Sequence, residues 1–401
     1  MNISACPCCH GKNGQVFYQV GSTPANSCLL IPSRQEALEF PCGILDLACC
    51  PSCGFVWNAS FDSGLIEYSE RYEETQGYSP TFGRFHRQLA LDLIERYDLR
   101  HKQILEIGCG KGEFLALLCE LGGNQGIGFD PAFRPGRVDM PADGTLQFIA
   151  DLYSEKYASV PADFICCKMT LEHISNPRDF VHMLRQAIGE RNETVVFILV
   201  PDAGKIIAEG AFEDFYYEHC SYFCSVSLCQ LFAEAGFSVS AVKSVYDGQY
   251  LALSALPDPL PGTVQKTETD QLTLHLAAVK NLADHCFDQR ERWKARLMDW
   301  RQSHEKVVLW GSGSKAVGFL TAVEVPGAIA AVVDINPHKS GTFMPASGLP
   351  IVSPASLRDD PPKHVIVMNP IYCREIALQL QGYGLNPQIF TLRNGQWNWE
   401  E

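Results

Sequence analysis

Three sets of residues in this 401-residue chain carry side chains and spacings suited to chemistry. The first is a pair of C-x2-C knuckles, Cys6-Pro-Cys-Cys9 and Cys50-Pro-Ser-Cys53. Each offers two thiolates from a tight turn, and four sulfurs are what tetrahedral zinc takes in a closed, structural site with no open position. Cys6, Cys9, Cys50 and Cys53 are the expected ligands, with Cys8, Cys42, Cys49 and His10 as neighbouring alternatives. The second set is Ile104-Leu-Glu-Ile-Gly-Cys-Gly-Lys-Gly112, in which Gly108, Gly110 and Gly112 let the backbone turn sharply and approach a ligand without a Cβ in the way. Glu106 stands just inside this loop, and Asp130 closes Gly126-Ile-Gly-Phe-Asp130 about twenty residues on, where a carboxylate can accept both hydroxyls of a ribose. The same features serve a nicotinamide dinucleotide. The third set is Phe212-Glu-Asp-Phe-Tyr-Tyr-Glu-His-Cys-Ser-Tyr-Phe223. Histidine is the commonest general base near neutrality and a tyrosine hydroxyl can stabilise a developing enolate oxygen. The competing reading is an aromatic-rich loop over a sheet edge, with His219 making a structural hydrogen bond.

These residues need rigid elements to hold them. Residues 1–62 are turn-rich, with short β-like runs such as Gly43-Ile-Leu-Asp-Leu, and read as a small metal-held module that cannot bury much core alone. Over 63–256 a helical pattern (Phe85, Leu89, Leu91, Leu93, Ile94) leads into the strand Gln103-Ile-Leu-Glu-Ile, after which strands and helices alternate. That alternation predicts an α/β fold with a mostly parallel, doubly wound sheet. Pro257, Pro259 and Pro261 break the chain, and a long amphipathic helix follows, with Leu272, Leu276, Val279, Ala283, Cys286, Trp293, Leu297 and Trp300 on one face. A second strand-loop-helix unit opens at Val307-Val-Leu-Trp-Gly-Ser-Gly-Ser-Lys315. With Ala330-Ala-Val-Val-Asp334 and His364-Val-Ile-Val-Met368 it makes a smaller C-terminal α/β domain over 257–401.

Composition excludes some classes. A 46% hydrophobic share is that of a globular chain, and a net charge of -14 argues against a protein whose main partner is nucleic-acid phosphate. The start Met1-Asn-Ile-Ser-Ala-Cys has no signal-peptide pattern and no apolar run reaches membrane-spanning length, so a soluble, cytoplasmic protein is expected. An odd count of 17 cysteines, with neighbours such as Cys166-Cys167, fits reduced thiols better than a disulfide framework.

The form Glu-Ile-Gly-Cys-Gly-Lys-Gly resembles motif I of class I methyltransferases and differs from the dinucleotide spacing. The resemblance implies S-adenosylmethionine as the methyl donor. It places Asp151, after Phe148-Ile-Ala, at the adenine, and Cys167-Lys-Met-Thr-Leu-Glu-His173 over the methionine end, Glu172 and His173 being equally readable as a helix-start pair. The order of parts over nearly the whole chain is similar to the three-domain, zinc-containing C-methyltransferases that act on nucleotide-linked keto-deoxysugars. Tyr216-Tyr-Glu-His219 is the most diagnostic match. By that resemblance His219 removes the proton beside the sugar ketone, with Glu218 and Tyr216 orienting it or stabilising the enolate. A further family tyrosine is matched by Tyr72, with Tyr78 as competitor. Trp310-Gly-Ser-Gly-Ser and Val367-Met-Asn-Pro370 depart from the family's C-terminal pattern, which implies an acceptor other than a typical deoxysugar. Other classes remain: an O- or N-methyltransferase on the same donor loop, an oxidoreductase using Gly311-Ser-Gly313 and Asp334, or a zinc-module adaptor on a degenerate enzyme.

Overall fold

A computed structural model describes residues 5–142, 144–258 and 269–398. Pro259 and Pro261 lie outside the described residues. Three sheets organise the chain. The central one has seven strands in the spatial order Phe237–Val245, Tyr250–Pro257, Val195–Pro201, Phe164–Lys168, Gln103–Ile107, Gln125–Phe129, Leu146–Ile149. From Val195–Pro201 onward its neighbours run parallel, whereas Tyr250–Pro257 is antiparallel to both of its neighbours. That order, with one reversed strand slotted beside the last parallel one, is the class I methyltransferase fold. The strand Gln103–Ile107 sits where the winding changes direction, so the glycine-rich loop at its carboxyl end opens into the crevice where such sheets take ligands.

The C-terminal sheet repeats this logic with six strands, Val307–Trp310 lying between Ala331–Val333 and His364–Val367 in parallel register. The N-terminal sheet is antiparallel: Gln15–Pro24, Cys42–Cys49 and Val56–Asn58 are joined by Ser221–Tyr222, which immediately follows the Tyr-Tyr-Glu-His stretch. The aromatic segment therefore completes the N-terminal sheet and does not cover an edge of the central one. Gly43 shows how tight the junction is, since a Cβ there would lie 2.2 Å from Tyr217 Cε2. Tyr217 is fully buried, and its hydroxyl accepts a hydrogen bond from Asp62 N at 2.7 Å.

The helix Pro80–Tyr97 starts under a Ser79 cap and buries Phe82, His86, Leu89, Ala90, Leu93 and Ile94; Leu91, expected on that face, is exposed. The helix Thr269–Gln302 buries Val279, Leu282, Cys286, Trp293, Leu297 and Trp300, while Ala283 faces solvent and Leu282 takes its place in the stripe. It spans all three parts: His275 Nε2 meets Gly54 O at 2.9 Å, Cys286 Sγ meets Gly210 O at 3.7 Å, and Trp293 Nε1 donates to Leu392 O at 2.9 Å. One apolar cluster accordingly joins Tyr18, Leu45 and Leu47 of the N-terminal sheet to Phe212, Trp293 and Leu309. None of the 17 cysteines is in a disulfide, and no described helix is long and apolar enough to cross a membrane.

Candidate active site

The donor loop is built by its glycines. Gly108, Gly110 and Gly112 all hold positive φ (69°, 55° and 85°), and added Cβ atoms would meet Thr170 Oγ1 at 2.0 Å, Glu74 Oε1 at 2.5 Å and Phe148 Cζ at 2.3 Å. Asp130 braces this turn, its two carboxylate oxygens accepting from Gly110 N at 2.8 Å and Ala132 N at 2.7 Å. Lys111, 2% exposed, donates to Tyr72 O and Ala132 O and pairs with Glu74 at 3.4 Å, which satisfies a charge that burial alone would make very costly. Glu106 Oε2 is a buried acid oxygen with no hydrogen-bond partner, whereas Glu74 Oε2 has Lys111 Nζ at 3.4 Å; burial pushes both carboxyls up to about 7. An unpartnered acid oxygen beside a glycine cradle fits an ammonium-bearing nucleoside ligand such as S-adenosylmethionine. Asp151 stands farther out, bonded to Lys156 and to the Tyr157 hydroxyl, and Lys156 draws its carboxyl below the usual range.

Asp130 thus has two duties if it also meets the donor's ribose. Asp130→Ala is expected to weaken donor binding by roughly 1.5–3 kcal/mol, the value of hydrogen bonds to a charged group, and to lower the melting temperature as the loop loses its brace. Calorimetry showing unchanged affinity would place the donor elsewhere.

On the acceptor side the chain gathers residues from four distant segments. Tyr72 donates to Glu218 Oε2 at 2.6 Å, and Glu218 Oε1 accepts from Ser27 N. Tyr216 hydroxyl and His219 Nε2 are 3.2 Å apart, His219 Nε2 lies 4.0 Å from Glu172 Oε1, and the His173 ring stands perpendicular to that of His219 at 4.7 Å. Tyr78, the alternative to Tyr72, is 41% exposed, packs near His338 and lines the same cleft as Tyr216. Burial, His173 and Lys315 hold His219 well below the usual histidine range, so its imidazole is neutral; burial also pushes Glu172 up to about 8 and Tyr216 well above an ordinary phenol.

A cleft of about 440 Å³ runs between the central and C-terminal sheets. Tyr216 lines it; His219 stands behind that hydroxyl. Across the cleft lie the Gly311–Gly313 loop, Lys315, Asp334, Lys339 and Arg393. This second loop is braced as the first is, with Asp334 accepting from Ser312 N and Asn336 N at 2.9 Å each. A strap from Tyr72 to Ser79 ties the two domains: Glu73 accepts from Asn336, Gln76 from the Tyr372 hydroxyl, and Ser79 donates to Glu375.

Sequence reasoning missed Tyr68, whose hydroxyl is 3.1 Å from His173 Nδ1, although the spacing Tyr68-x3-Tyr72 was a usable signal. It also missed Glu74 and Lys111, for which no pattern pointed to burial. In the N-terminal part the sulfurs of Cys6, Cys9, Cys50 and Cys53 lie within 4.8 Å of one another, with Cys6–Cys53 at 3.8 Å and Cys9–Cys50 at 3.6 Å. Tetrahedral zinc with bonds of about 2.3 Å would set sulfurs about 3.8 Å apart, so the four fit that ion. Cys8 instead turns its thiol to Ser227 O.

Residues 82–242 match the methyltransferase domain family, and residues 261–390 match the family described as C-methyltransferase C-terminal domain. The chain is 26% identical over 108 residues to the mitochondrial ubiquinone biosynthesis O-methyltransferase of Schizosaccharomyces pombe (strain 972 / ATCC 24843), a match spanning 25% of this chain and 39% of that relative's length. Among solved structures it is similar to magnesium protoporphyrin IX methyltransferase from Synechocystis PCC 6803 with bound S-adenosylhomocysteine (14% identity, TM-score 0.35, 44% of this chain and 84% of that one). It is also similar to the Burkholderia thailandensis 1,6-didemethyltoxoflavin-N1-methyltransferase (16% identity, TM-score 0.32, 43% of this chain and 78% of that one).

Proposed function

We propose that this S-adenosylmethionine-dependent methyltransferase places its methyl group on a carbon beside a ketone, and that the acceptor is a small molecule of the nucleotide-linked keto-sugar class. The observation that carries the reading is the Tyr216–His219 pair: a hydroxyl on the cleft wall bonded to a buried, neutral imidazole. A carbon next to a carbonyl attacks a methyl group only after losing a proton. Tyr216 oxygen takes that proton as its own passes to His219 Nε2, so His219 is the final base and the electron pair is left on the enolate. S-adenosylmethionine, when bound, supplies the electrophilic methyl on a sulfonium leaving group. Glu218, held by Tyr72 and Ser27, fixes the backbone next to His219. Glu106, Gly108, Gly110, Gly112, Asp130 and Asp151 form the donor site, and Cys6, Cys9, Cys50 and Cys53 hold one structural zinc.

The C-terminal loop supports a phosphate-bearing acceptor, because Gly311–Gly313 leads into the helix Ser314–Ala322, whose first residues line the cleft together with Lys205 and Lys339. A mass-resolved screen of nucleotide-linked keto sugars with labelled methyl donor tests the reading; the expected product has one α-hydrogen replaced by methyl carbon. A methylated oxygen or nitrogen would overturn it. Tyr216→Phe should retain donor binding and lose roughly a hundredfold or more in methyl transfer, the scale of one positioned proton-transfer group. A wild-type rate in that variant would mean His219 meets the substrate directly.

A further inference from the structure

We infer that Glu172, His173 and His219 form a second divalent-metal site, distinct from the four cysteines, and that a transition-metal ion bound there arrests the enzyme. One carboxylate oxygen and one ring nitrogen from each histidine lie within 4.8 Å of one another. Two imidazoles and one carboxylate on a common face are a donor set for borderline divalent ions such as Co2+, Zn2+ or Fe2+, whereas Mg2+ prefers oxygen.

Two further observations point to an ion. Glu172 is 2% exposed and its Oε2 has no hydrogen-bond partner, so the carboxylate brings unused ligand capacity to the spot. His173 is also held by an outer partner, the Tyr68 hydroxyl 3.1 Å from its Nδ1. Such partners fix imidazole orientation at metal sites. Bonds near 2.1 Å set tetrahedral ligand atoms about 3.4 Å apart, so the groups must close from 4.0 Å between His219 Nε2 and Glu172 Oε1 and from at most 4.8 Å elsewhere. The ion would take the His219 lone pair and replace the Tyr216–His219 hydrogen bond. Arrest therefore rests on His219 as the base, whereas metal binding does not.

The test uses zinc-replete full-length protein titrated with Co2+. One added Co2+ per chain should give visible absorption without the thiolate charge-transfer bands that displacement of cysteine-bound zinc would produce. Methyl transfer should fall in step and return on mild chelation, and Mg2+ should have neither effect. Glu172→Gln keeps the side chain's shape and should weaken Co2+ binding by about tenfold or more; His173→Ala should do at least as much. Zinc content and donor binding report whether each variant is folded, and Glu172→Gln carries the test if His173→Ala is not. Absence of a second Co2+, or equal binding by Glu172→Gln, would overturn the site and leave His219 as base. Co2+ bound at this site with undiminished methyl transfer would overturn the arrest and remove His219 from the base's role.

Discussion

His219→Asn is expected to lose methyl transfer and exchange of the substrate's α-proton with solvent deuterium together, while S-adenosylmethionine still binds. The proposed donor contacts are on the Gly108–Gly112 loop and Asp130, whereas His219 follows the turn that feeds the N-terminal sheet, so the variant should separate the two functions. Loss of one positioned base costs roughly a hundred- to ten-thousand-fold, about 3–5 kcal/mol in the barrier. Wild-type enzyme should catalyse the exchange most clearly with S-adenosylhomocysteine in the donor site. The pH profile carries a second signature. A base works in its neutral form, which persists above its pKa, and burial with His173 and Lys315 holds that of His219 well below the ordinary 6.5. The rate should therefore stay level as pH falls through 6.5 and drop only beyond it. An authentic substrate methylated by His219→Asn at the wild-type rate would end the assignment and leave Tyr72, Tyr78 and Tyr216 as the groups to test.

The parts of the site legible in the sequence were those whose chemistry is local. Gly108, Gly110 and Gly112 sit within five residues and their spacing already demanded a turn; all three hold positive φ. The alternation of strands gave the parallel sheet, because period and punctuation are local too. What the chain did not disclose is what depends on long-range closure. Tyr72 and Glu218 are 146 residues apart, and nothing local in the sequence announces the 2.6 Å hydrogen bond that joins them. Glu172 read equally well as a helix-start residue, and it does stand in the short helical turn Leu171–His173; its burial with Oε1 4.0 Å from His219 Nε2 is what the sequence did not disclose. Ser221–Tyr222 is too short to register as a strand from propensity, yet it bonds the acceptor segment to the knuckle-bearing sheet. Ala283 and Leu282 exchanged places because a 34-residue helix touching three domains does not keep one uniform apolar stripe.

Cys50→Ser is expected to cost the protein its zinc, its solubility and, with them, methyl transfer. Cys50 is fully buried, and its knuckle is closed by Cys50 N donating to Phe55 O and Gly54 N donating to Cys50 O, both at 2.9 Å. Cys6, Cys50 and Cys53 belong to the same apolar cluster as Phe55, Trp57, Leu228 and Phe232, so loosening the sulfurs opens the contact with the central domain. Structural zinc in small modules supplies about 10–16 kcal/mol, comparable to the whole 5–15 kcal/mol net stability of a domain, so a module of this size does not keep its fold on three ligands. The damage should travel by a defined route. Strand Val56–Asn58 pairs with Ser221–Tyr222, two residues beyond His219, and its disorder removes the support of the base without touching the glycine loop. Any folded Cys50→Ser protein should thus bind donor and fail to exchange the α-proton, and chelating zinc from the wild type should reproduce this. Full zinc occupancy with an unchanged melting temperature in Cys50→Ser would strike Cys50 from the ligands.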